Sequence, residues 1–73
     1  MTLANLEIGT QAKVVRVTGK SAVTRRLMEM GVIPGVAVTV IKTAPFGDPI
    51  QIRVRGYSLA MRKSEAEIIE VSE

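Results

Sequence analysis

Ile50-Gln51-Ile52-Arg53-Val54-Arg55-Gly56-Tyr57-Ser58-Leu59-Ala60-Met61-Arg62 decides the fold of this chain. Apolar residues fall at 50, 52 and 54 and again at 57, 59 and 61. Gln51, Arg53 and Arg55 fill the gaps of the first half. Alternation with a period of two means strands with one apolar and one wet face. The pattern breaks at Arg55-Gly56, where glycine takes positive φ at little steric cost. The stretch therefore predicts a β-hairpin whose outer face is basic.

Upstream, Ala12 to Thr18 predicts a Val-rich strand. Ala12 and Val14 point one way, Val15 and Val17 the other, which requires cover on both faces or a bulge. Gly19-Lys20 closes it, and Ser21 caps a short helix. Val23, Leu27 and Met30 form that helix's apolar stripe, with Arg25, Arg26 and Glu29 off it. Gly31 stops the helix, and Pro34-Gly35 turns the chain into a strand over Val36 to Thr43. Ala44-Pro45-Phe46-Gly47-Asp48-Pro49 is a loop by composition. Ser64-Glu65-Ala66-Glu67 has capping-box spacing, and Ile68 to Val71 returns to strand character. The N-terminal run Leu3 to Gly9 is apolar enough to dock but too broken for a long element.

This order predicts a mainly β fold. It is a small SH3-like, partly open barrel of about five strands, with one short inserted α-helix and a single helical turn before the last strand. An open α+β sandwich is the competing architecture. Seventy-three residues make one domain, spanning 1–73. Apolar residues make up 47% and aromatics only 3%, so the core must be aliphatic. No charged start leads into a long apolar run, so no secretory signal or membrane span is expected.

Histidine and cysteine are both absent. That removes the usual general base, the usual nucleophile pairs and the common zinc ligands. Neither Gly-x-Gly-x-x-Gly nor the full Gly-x-x-x-x-Gly-Lys-Ser/Thr phosphate loop occurs, so no enzyme activity, cofactor or metal ligand is expected. Glu7, Glu29, Asp48 and the C-terminal glutamates are not spaced to converge on an ion. Absence of cysteine fits a reducing compartment.

Charge is uneven. Four of the seven acids lie in the last nine residues, so residues 1–64 carry ten positive charges against three negative. Such a body attracts an acidic partner. Lys13, Arg16, Arg25, Arg26, Arg53, Arg55, Arg62 and Lys63 could meet phosphates, but Phe46 and Tyr57 alone supply stacking aromatics. Two aromatics cannot line a proline-peptide groove either. Protein–protein contact remains, with nucleic-acid binding or a metal-responsive module as alternatives. Phe46 either anchors an interface from its Pro/Gly loop or folds back to plug one end of the barrel. Tyr57 reads as core with its hydroxyl at the rim. Arg25, Arg26, Met28, Phe46 and Arg55 are the expected partner-binding residues.

Two blocks resemble the FeoA family. The first is Arg26 to Gly35 followed by Val38-Thr39-Val40, and the second is Ala44 to Ile50 with Ile52 to Tyr57 and Leu59 to Arg62. Leu6-x-x-Gly9, Ala12-x-Val14 and Glu65-Ala66 also fit, so the likeness covers nearly the whole chain. The resemblance implies a small cytosolic SH3-like accessory of the bacterial ferrous iron transporter FeoB, a membrane protein with a cytoplasmic GTP-binding domain. On this reading it binds the GTP-binding domain or the membrane part, modulates uptake or nucleotide turnover, and is recruited to the inner membrane without inserting. No nucleic-acid partner is expected, while an exposed strand edge would allow self-pairing. The same domain ends some iron-dependent repressors, but this chain carries no helix-turn-helix. The family bears a transition-metal label in places, and no ligand is carried over from it.

Overall fold

In the computed structural model, which describes residues 1–19 and 21–73, five strands form one antiparallel sheet. The strands are β1 (Gln11–Val17), β2 (Ala37–Thr43), β3 (Ile50–Val54), β4 (Tyr57–Met61) and β5 (Ile69–Ser72). Their order is β4-β3-β2-β1-β5. Two helices, α1 (Ala22–Glu29) and α2 (Lys63–Ala66), and a 3₁₀ turn at Leu3–Asn5 complete the chain. This is the expected mainly β, SH3-like arrangement. Lys20, expected to help close β1, lies outside the described residues.

The hairpin forms as its alternation requires. Ile50, Ile52 and Val54 face inward opposite Met61, Leu59 and Tyr57. Arg55 and Gly56 both take positive φ, 51° and 87°, as a two-residue type I′ turn demands. The conflicting pattern of β1 is resolved by a bulge between Val14 and Arg16 against β5. Ala12 and Val14 stay in the core while Val15, the extra residue, is turned out to solvent. A second irregularity, between Val40 and Lys42, bends β2 against β3.

Ser21 caps α1 by accepting the Thr24 N–H at 3.4 Å. Leu27 is fully buried, and Val23 and Met30 are half-buried, so the stripe faces the sheet. Thr24, outside that stripe, is buried as well. Its hydroxyl is satisfied by donating to the Thr18 carbonyl at 3.0 Å, which ties the helix start to the end of β1. Gly31 ends the helix at φ 100°, and the Val32 N–H returns to the Leu27 carbonyl at 3.0 Å.

The cap of α2 differs from the expected one. Ser64 lies inside the helix, and the Glu65 carboxylate accepts the Arg62 N–H at 2.8 Å. Asp48 accepts the next N–H, that of Lys63, at 3.0 Å. Glu65 wins the capping role because it also meets the Arg26 guanidinium, so one carboxylate caps α2 and ties it to α1. Glu65→Ala is expected to cost about 1–2 kcal/mol, a lost cap plus a half-exposed ion pair, as measured by urea unfolding.

Among the described residues fifteen apolar side chains make the core, all aliphatic or Met: Leu3, Leu27, Val32, Val38, Val40, Ile52, Val54 and Ile69 are its most enclosed members. The sheet's two edges are treated differently. β5 is covered by the N-terminal residues, through a Thr2–Glu70 bridge and the Val71 N–H donating to the Met1 carbonyl at 2.9 Å. β4 pairs with β3 alone.

Candidate partner-binding surface

Arg25 and Met28 stand three residues apart, on one line of the α1 surface. Together with Ser21, Thr24, Glu29 and Ile33 they line an open depression of about 550 Å³. Met28 is 42% exposed, a large apolar group the fold leaves in water. The line continues to Gly31, where the β3–β4 turn arrives. A Cβ on Gly31 would lie 3.1 Å from the Tyr57 hydroxyl and 3.2 Å from the Arg55 Cδ. Arg25 and Met28 thus share the depression, while Arg55 and Tyr57 approach Gly31 just past the end of α1.

Tyr57 departs from its expected place in the core. It is 43% exposed at the first position after the turn, with its hydroxyl against Gly31. Its position beside a turn was the only signal of this in the sequence. Ile33, half-buried on the rim of the depression, was read merely as part of a turn.

Arg26 points elsewhere, into its pair with Glu65, and so holds α1 to α2 as well as facing solvent. Phe46 stands at the opposite end of β3 from Arg55, about 15 Å of strand away. It does not fold back to plug the barrel. In the tight turn closed by the Gly47 N–H to the Ala44 carbonyl, 2.8 Å, its side chain is 99% exposed. Of the five expected residues, Arg25 and Met28 share one depression, Arg55 reaches Gly31 beyond it, Arg26 ties the two helices, and Phe46 is an isolated aromatic tip.

Arg55 is the single non-glycine residue among those described with positive φ. A left-handed conformation costs a branched or long side chain about 1 kcal/mol, and asparagine less. Arg55→Asn is therefore expected to raise stability by about 0.5 kcal/mol in thermal melts while removing a cation from this surface. The arginine is held there at a conformational cost set by the turn.

Among the described residues only Arg16–Glu70, at 3.2 Å, and Arg26–Glu65 form ion pairs. Among the described residues, Arg25, Arg53, Arg55, Arg62 and Lys63 are in neither pair and stand exposed. No three acidic side chains converge as a metal cage would need among the described residues. No helix there is long and apolar enough to cross a membrane.

A five-stranded antiparallel sheet with an inserted helix and exposed basic and apolar side chains defines a small SH3-like domain. The FeoA domain model matches residues 1–73, and the chain belongs to that family. It is 39% identical over 71 residues to a Porphyromonas gingivalis fusion of Fe(2+) transport protein A with the Fe(2+) transporter FeoB, covering 97% of this chain and 8% of the fusion. The chain thus spans a small part of that relative's length. The FeoA protein of Chlorobium tepidum superposes with a TM-score of 0.91 at 44% identity, covering 97% of this chain and 68% of that one. The zinc-complexed FeoA of Stenotrophomonas maltophilia, described as a prokaryotic SH3 domain protein, gives 0.88 at 34% identity, covering 99% and 89%.

Proposed function

We propose that this chain is a non-catalytic partner of an FeoB-type ferrous iron transporter, docking on its cytoplasmic side and modulating its turnover. The fusion of a matching domain to such a transporter in one polypeptide carries this reading. A short tether holds two modules at millimolar effective concentration, so fusion is useful where the modules act on one another. The chain's chemistry agrees: without His or Cys it has few groups to activate a nucleophile, and its exposed Phe46, Met28 and arginines are contact groups. The basic body steers the encounter, and the apolar groups hold the complex.

The test is ferrous iron uptake by proteoliposomes containing the transporter and GTP, with this chain added on the nucleotide side. A saturable change in uptake or GTP turnover is expected. Rates that stay constant as the chain is raised through a large excess would overturn the proposal.

A further inference from the structure

We infer that the outer edge of β4 receives an extended, acidic peptide segment as a sixth strand. The argument begins with the hairpin register. A two-residue turn at Arg55-Gly56 makes Val54 and Tyr57 a hydrogen-bonded pair, and the pairs Ile52–Leu59 and Ile50–Met61 follow in step. Ser58 and Ala60, the residues between, must then aim their N–H and C=O groups away from β3. Among the described residues, neither takes part in a hydrogen bond outside the sheet. Both are exposed.

Natural sheets blunt such an edge with lysine, proline, a bulge or a covering segment. β5 has the covering segment, in Met1 and Thr2. β4 has none of these devices: its sequence is Tyr-Ser-Leu-Ala-Met, and its pairing with β3 is regular throughout. The side chains flanking the open backbone groups are small, so another strand can approach.

Charge selects the occupant. Arg55 stands before β4 and Arg62-Lys63 after it, with Arg53 opposite Ser58 on the outer face. Of the nearby acids, Glu65 is taken by Arg26, and Asp48, bonded to the Lys63 N–H, offsets one charge. The edge is therefore positive at both ends. A second copy pairing antiparallel along β4 would set Arg55 against the other copy's Arg62 and Lys63, and like charges opposed across strands destabilise. An extended segment with carboxylates flanking an alternating middle meets both ends favourably, the backbone supplying affinity and the arginines supplying choice. That this segment belongs to the transporter rests on the reading above; the edge site itself does not.

The test is residue-resolved amide exchange on the full chain with the probe peptide Glu-Glu-Val-Thr-Val-Thr-Val-Glu-Glu, and with its lysine counterpart. The acidic probe should slow exchange at Ser58 and Ala60 by about tenfold or more and leave Leu59, already bonded to β3, unchanged. Ala60→Pro removes an outward donor without touching a β3 bond, so it should keep the folded spectrum and lose the effect. Equal protection by the lysine probe would refute the charge selection. Protection centred elsewhere, or none, would refute the site. Protection that grows with protein concentration and needs no probe would assign the edge to a second copy and refute the acidic occupant. The purified transporter is the second arm. Protection of the same two amides there supports the whole proposal. If the probe protects them and the transporter does not, the edge stands and the transporter as its owner is refuted.

Discussion

Ile52→Ala is expected to lower unfolding free energy by about 3 kcal/mol, within the usual range for a buried aliphatic truncated to alanine. Ile52 is fully enclosed and lies between Val40 on β2 and Leu59 on β4, at the centre of the inward face. The loss has two parts: the removed methyl and methylene groups return to water when the chain unfolds, and the rigid sheet leaves a void behind. A domain this small has a total stability of roughly 4–11 kcal/mol, so the substitution removes a large share of it. The thermal midpoint should fall by about 12–24 °C, followed by circular dichroism. Arg53→Ala, one residue along and facing solvent, should stay within about 0.5 kcal/mol of the parent. If the two variants melt alike, the assignment of faces is wrong.

Phe46→Ala should behave in the opposite way. With its ring almost wholly in water, the side chain contributes little to folding, and stability should change by less than about 0.5 kcal/mol. Docking should suffer strongly. Large aromatic anchors at interfaces commonly cost about 2 kcal/mol or more on truncation, roughly thirtyfold in affinity. A free aromatic ring held by a short turn loses little entropy on binding, which is why such a tip is effective. A melt that shifts by many degrees with affinity preserved would make Phe46 a structural residue and move the contact elsewhere.

How much of this was legible in the sequence differs by element. The hairpin was, since both its period and its turn lie within thirteen consecutive residues. So were α1, marked by Ser21 and Gly31, and the aliphatic core, since there were too few aromatics to build another kind. Contacts between distant segments were not. The Arg26–Glu65 pair joins residues 39 apart, and no local pattern announces it. It displaced the expected cap of α2, since a carboxylate that serves two partners is better placed than a serine that serves one. Thr24 was missed because its burial depends on the Thr18 carbonyl, a group that any residue would present. Phe46 had two readings that local sequence cannot separate, because a Pro/Gly loop can aim a ring inward or outward. Of the contact surface, Arg25 and Met28 could be placed together by helical spacing. The arrival of Arg55 and Tyr57 beside Gly31 needed the sheet.

The bare β4 edge and the Phe46 tip are two distinct features, and both lie outside the core. On the proposed reading, substitutions at Phe46, Arg25, Met28 or Ala60 should alter docking while Ile52 and Val54 hold the fold. This separation makes the docking account open to direct test.

Calorimetric titration of this chain into the purified FeoB-type transporter, in lipid nanodiscs at two salt concentrations, tests the central claim most directly. The account predicts a saturable complex that weakens as salt rises, because unpaired arginines contribute to it, and that weakens about thirtyfold with Phe46→Ala. No heat above dilution at either salt, with transporter that still turns over GTP, would contradict it.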